Sequence, residues 1–205
     1  MKIERALSEI SEIHSLMAKA SFYRGYRSAP VALSGLAGFI AALAQPLFVT
    51  RGDASTFVYF WITIAVINIL CAGGGIALRY AFQGDSTERR RTLAVVGQAV
   101  PGLVAGLLIT IGIVASSSER AMAFLPALWA YCYGLGVVSS RPFLPRMIGL
   151  VALYYFLAGT MLLRLAAVGT ATIFSGWTMG LSFGTAQLLT AAILYWNLER
   201  KHHER

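Results

Sequence analysis

Six times in 205 residues the chain runs for most of a bilayer's thickness with almost no charge, and nothing else in the sequence constrains its fold as strongly. The windows are 30–49, 56–78, 92–115, 121–138, 147–168 and 174–198, each bounded by charged or turn-forming residues. A hydrocarbon core about 30 Å thick is crossed by about 20 apolar residues in helical form. In lipid a helix satisfies its own backbone, whereas an open strand or coil leaves N–H and C=O groups unpaired. The soluble alternative, six helices buried in a globular core, fails on charge. Only 13% of residues are charged, against about 25% in soluble domains, so there is too little polar surface to coat such a core. Gly and Pro inside the windows are compatible with membrane helices.

The expected fold is an all-α integral membrane protein. Residues 1–28 are predicted to form an amphipathic cytoplasmic helix, 29–199 a six-helix transmembrane domain and 200–205 a basic tail. About 28 polar or amphipathic residues precede the first apolar run, so that run lacks the layout of a cleaved signal and is expected to persist. In the leading segment Ile3, Leu7, Ile10, His14 and Met17 recur at helical spacing, opposite Glu4, Glu9 and Glu12 balanced by Lys2, Arg5 and Lys19. A lipid-binding surface helix is normally richer in basic residues. Docking onto protein is expected instead, onto this chain, a second copy or a cytoplasmic partner.

Basic residues near span ends are retained in the cytoplasm. With the amino terminus inside, that side collects Lys2, Arg5, Lys19, Arg24, Arg27, Arg79, Arg89, Arg90, Arg91, Arg141, Arg146, Arg200, Lys201 and Arg205, leaving Arg51, Arg120 and Arg164 outside. Both termini are therefore expected inside the cell. Arg89, Arg90 and Arg91, with Asp85 and Glu88 placed as a capping pair, read as a membrane anchor for the third span, as do Arg141 and Arg146 for a tight inner turn. The net charge of +8 follows from this topology. A nucleic-acid partner would need a folded basic module for which there is no room. Tyr59, Trp61, Trp177, Tyr195 and Trp196 fall near span ends and read as an interfacial belt. Cys71 and Cys132 fall inside spans and are expected to be buried packing residues.

All nine acidic residues lie in termini, loops or span borders. Proton-coupled pumps, haem bundles and retinal proteins need ionisable or ligating side chains within the membrane, so those classes are disfavoured. A nucleophile at Ser34 or Ser175 would lack a general base in the spans. His14, His202 and His203 lack the ligand spacing of a metal site. No enzyme activity, metal or cofactor is expected.

The polar residues that do enter the windows are amides: Gln45, Asn68, Gln98 and Gln187, with Asn197 at the last border. Asn68, Gln98 and Gln187 have two readings, interhelical hydrogen bonds or the lining of a site for a neutral ligand. Pro101 favours the second, because it removes the donor that would pair the carbonyl of Gly97. Gly73, Gly74 and Gly75 fit either a loosened helix or tight packing. Gly176, Gly180 and Gly184 share one face of the sixth span, and Gly102 and Gly106 one face of the third, allowing close helix packing within the chain or in a homodimer.

PVALSGLAG at 30–38 loosely echoes PALWAYCYGLG at 126–136, and AGGGIALR echoes AGTMLLR, the pattern of an inverted three-span repeat. SSRPFLPR at 139–146, followed by GLVALYYFLAG, resembles a segment of small bacterial multi-pass membrane proteins with no assigned activity. That resemblance implies a bacterial cytoplasmic-membrane setting. Two functions remain open: a permease-like protein handling a neutral or amphipathic small molecule through Asn68, Gln98, Pro101 and Gln187, or a sensor or assembly subunit that binds a protein through its N-terminal helix and oligomerises through the sixth span.

Overall fold

In the computed structural model, residues 28–50, 52–82 and 86–200 are described. Among them there is no strand, and six helices are long and apolar enough to cross a membrane. The expected helix of residues 1–28 and the tail of 200–205 lie outside the described residues, apart from Ser28 and Arg200. So does Asp85 of the expected capping pair.

The first span is α1, Ser28–Phe48. Gly52, at φ 86°, turns the chain towards α2, Ala54–Phe82. Asp53 starts that helix by accepting from the Thr56 amide at 3.0 Å and the Thr56 hydroxyl at 2.6 Å, which satisfies one of the orphan donors of the first turn. The third span is α3, Ser86–Ala115, and contains the arginine triplet in its opening turns. A four-residue α4, Glu119–Met122, capped by Ser118, leads into the fourth span α5, Leu125–Ser140, which has Pro126 in its first turn. A 3-10 turn, Arg141–Phe143, leads to α6, Ile148–Val168, which ends on Gly169 in the left-handed conformation. The Arg141 guanidinium folds over Gly149 in the first turn of α6.

The sixth span is not one uniform helix. It comprises α7, Gly176–Met179, a π-turn, Gly180–Gly184, then α8, Thr185–Leu194, and a second π-turn, Tyr195–Glu199. The expected span limits hold within a few residues, except that α2 and α3 run further, at 29 and 30 residues. Two ends of the bundle can be told apart. Val31, Leu144, Ile148, Ala191 and Leu194 cluster at the end bearing Arg141, Arg146 and Arg200, here the basic end. Val49, Ala54, Phe57, Trp61, Met122, Leu125 and Met179 cluster at the far end.

Glycine sets the closest crossings. Cβ atoms built on Gly176, Gly180 and Gly184 would fall 2.5 Å from the Ala42 carbonyl oxygen, 2.8 Å from Ala42 Cβ and 2.9 Å from the Phe39 ring, so the sixth span's glycine face lies against α1. Gly102 of α3 meets the α5 backbone at Cys132 and Gly136. The small-residue faces therefore pack within the chain, as van der Waals contact in lipid favours. Gly73 and Gly74 differ: a Cβ on either meets nothing within 4 Å, so tight packing does not account for them.

The principal neighbours run in an open series: α2, α1, sixth span, α6, α5, α3. Its two ends, α2 and α3, come together at the far end, where α4 touches both and Ile109, Ile113 and Val114 pack on the Phe57–Trp61 cluster. Towards the basic end that cover is lost. From position 65 to 74 every described residue of α2 except Asn68 is exposed. On α3, Leu93, Val96, Gly97, Gln98, Val100, Pro101, Leu103 and Val104 are exposed, while Ala99 and Gly102 are half-buried.

Candidate functional site

The amides that sequence analysis grouped together occupy three different environments. Asn68 Nδ2 donates to the Ile64 carbonyl one turn back at 2.9 Å, so its recorded bond is to its own helix rather than across helices. Gln98 is exposed on α3, one turn before the exposed Pro101. Proline lacks the N–H that would reach Gly97, and that carbonyl has no α-helical donor. No atom comes within 4 Å of a Cβ built on Gly97, so that side of the helix is uncovered, while Ala99 and Gly102 on another face pack on α5. Gln98 and Pro101 are thus adjacent, and neither is hydrogen-bonded to Asn68 or Gln187.

Gln187, half-buried, sits one turn past the π-turn Gly180–Gly184. Its Nε2 donates to the Tyr133 hydroxyl of α5 at 2.6 Å. Among the described residues no hydrogen bond to its Oε1 is recorded. Tyr133 is packed by rings: Tyr155 at 5.0 Å and Phe183, the fourth residue of the π-turn, at 6.0 Å. Tyr155 and Phe183 are 5.5 Å apart, so three rings from three spans meet. Tyr154 donates its hydroxyl to the Leu181 carbonyl inside the π-turn at 2.6 Å. Near this level Ala130, Val151 and Ala186 close the core. Wide rings on α5 and α6 thus face small residues on α8, which lets a polar pair sit inside an apolar bundle.

The far end holds a third group, built around the amide of Gln45. Gln45 is buried. It accepts from the Trp61 indole at 2.8 Å and donates to the Phe174 carbonyl at 2.8 Å, joining α1, α2 and the approach to the sixth span. Trp61 is therefore a core residue and not part of an interfacial belt, whereas Tyr59, Trp177, Tyr195 and Trp196 are exposed. A similar link joins Trp129 of α5 to Thr110 of α3 at 2.8 Å, while the threonine hydroxyl donates to Gly106 at 2.6 Å. The cysteines also depart from expectation: Cys71 is exposed and Cys132 half-buried.

Sequence signals for the missed residues existed. Tyr133 and Tyr154 lie inside spans rather than at the interface, and a phenol at that depth needs a partner. The stretch GLSFG packs two glycines and a serine into one turn, a composition that weakens a regular helix. Comparison with known protein families, with curated proteins and with solved structures finds no match.

Proposed function

We propose that the chain is a non-enzymatic, permease-like protein of the bacterial cytoplasmic membrane, with both termini inside the cell, that handles a neutral or amphipathic small molecule. The observation that carries this reading is Gln98. An exposed amide beside a carbonyl without its helical donor stands on α3 away from the face that Ala99 and Gly102 turn to α5. In hydrocarbon each unpaired polar group costs several kcal/mol, so a partner there is favoured. The amide both donates and accepts, whereas the Gly97 carbonyl only accepts, so a ligand bearing a hydroxyl and a carbonyl or ether oxygen matches the pair. Between positions 93 and 115 of α3, and between 54 and 78 of α2, the sequence carries no charge, which favours an uncharged ligand. The acceptor of Gln187, deeper in the bundle, offers a second polar point.

The test is transbilayer movement of a fluorescent monoacylglycerol in proteoliposomes, with a neutral hexose run in parallel. Protein-containing vesicles are expected to move one of the two faster than protein-free vesicles, and Gln98→Leu to remove most of that gain. Equal rates with and without protein, or full activity in Gln98→Leu, would refute the reading.

The uncovered faces of α2 and α3 also favour a second reading, an assembly or sensor subunit in which another protein covers them. Cys71 reports on it, being exposed on α2. Oxidative cross-linking of two Cys132→Ser chains through Cys71 in native membranes, together with inactive proteoliposomes, would select that reading over the first.

A further inference from the structure

We infer that the π-turn Gly180–Gly184 is a movable joint in the sixth span, held in its observed place by the Tyr154 hydroxyl, and that its movement decides whether Gln187 meets Tyr133. A π-turn accommodates one residue more than an α-helical turn and recurs at functional positions. Shifting that extra residue along the helix leaves both flanks in register and rotates only the residues passed over, by about 100° each. A shift towards α8 passes Thr185, Ala186 and Gln187.

Four features of the span suit such a joint. Among the described residues π-turns occur only in this span, at Gly180–Gly184 and Tyr195–Glu199. The close contact with Ala42 and Phe39 of α1 is made by Gly180 and Gly184, which are not among the residues that rotate, so it is kept in both positions. The residues that would turn first, Thr185 and Ala186, are small. Finally, the carbonyls around the turn have substitute donors: the Tyr154 hydroxyl on Leu181 at 2.6 Å, and the Ser182 hydroxyl on Thr178 at 2.6 Å and Met179 at 3.3 Å.

The Tyr154 bond rewards the turn at its present position alone. Gln187 stands on the other side of the joint, and its 2.6 Å bond to Tyr133 depends on the same register. Moving the turn towards α8 rotates Gln187 away from Tyr133, and it lets the Thr185 amide, now bonded to Gly180, return to the Leu181 carbonyl and displace the Tyr154 hydroxyl. The two hydrogen bonds are therefore made or broken together, although they involve different spans. This coupling does not rest on the ligand reading, because both bonds are internal.

Hydrogen exchange of the full chain in nanodiscs tests it without any ligand. At the strength typical of hydrogen bonds between membrane helices, removing one is expected to speed exchange roughly three- to tenfold. Tyr154→Phe and Gln187→Leu should each do so over the same amides, 184–190, and their effects should multiply in the double variant. Deleting Leu181 should make the span α-helical from Gly176 to Leu194, slow those amides and remove their response to Tyr154→Phe. Faster exchange confined to each substituted site, or none, would overturn the joint. If the deletion variant does not fold, the shared or separate footprints of the two point variants decide alone.

Discussion

Replacing Gly102 by alanine drives a methyl group into the backbone of α5. The new Cβ would lie 2.6 Å from the Cys132 carbonyl oxygen, 3.3 Å from the Gly136 nitrogen and 3.4 Å from Gly136 Cα. All three are backbone atoms, so no rotamer change relieves the overlap and the helices must move apart. Overpacking of this kind costs about 1–3 kcal/mol, while alanine recovers up to about 1 kcal/mol of helix propensity. A net loss of about 1–2 kcal/mol corresponds to a fall of about 2–8 °C in Tm for a chain of this length. Two glycines of the same helix are internal controls. A Cβ on Gly106 meets Cys132 Cβ at 3.6 Å, an ordinary contact, so Gly106→Ala should melt close to wild type. A Cβ on Gly97 meets nothing within 4 Å, so Gly97→Ala should be neutral or raise Tm by about 2–4 °C. Melting in a single detergent, followed by tryptophan fluorescence, gives the order. If Gly102→Ala melts at or above wild type, or Gly97→Ala is the least stable, the α3–α5 crossing is not set by these distances.

Three further outcomes follow from hydrogen bonds at the far end. Gln45→Leu leaves the Trp61 indole and the Phe174 carbonyl without their shared partner, and thermal melts should show a loss of about 1–3 kcal/mol, with Gln45→Glu no substitute because it loses the donor at neutral pH. Thr110→Val removes the acceptor of the Trp129 indole and should cost about 0.5–1.5 kcal/mol, with a changed Trp129 emission as the direct readout. The carboxyl of Asp53 is held below its ordinary value of 3.8, first by the Thr56 hydroxyl and then by the Thr56 amide. Its support of the α2 start is therefore fully present above that value and disappears as pH falls through the lower folded value. Exchange protection of the first α2 amides should follow that course in wild type and be lost at all pH values in Asp53→Ala.

The spans were legible because span length and lack of charge are local properties. A run such as 147–168 needs no knowledge of its neighbours to be recognised, and its helix ends within a residue or so of that window. The pairings were not legible, since they depend on which faces meet. Trp61 lies close enough to a span end to read as an interfacial ring, yet its indole donates to the Gln45 side-chain Oε1 across the α1–α2 connection and sits in the core. Asn68 carries the same amide as Gln45 but turns back to Ile64 on its own helix, in a stretch of α2 whose other described residues are exposed. The π-turn was hidden for a further reason: GLSFG keeps the four-residue glycine spacing of a regular packing face, and that spacing says nothing about an extra residue in the turn.

Glycine divides the molecule into two mechanical parts. Where its Cα lies against another backbone, at Gly176 and Gly184 on α1 and at Gly102 on α5, it draws helices into contact and the chain gains dispersion energy that lipid tails do not supply as well. Where it faces open space, at Gly73, Gly74 and Gly97, it only weakens the helix that bears it. Gly73 and Gly74 lie on the uncovered half of α2 and Gly97 next to Gln98 on α3, whereas Gly112, equally open, lies further along α3. Stability is thus concentrated in α1, α5, α6 and the sixth span, while Gly73, Gly74, Gly97 and the exposed Gln98 lie on the two helices with least cover. Local opening is drawn from such low-stability regions. Movement or binding at the basic end of α2 and α3 therefore disturbs little of the packing that holds the rest of the bundle.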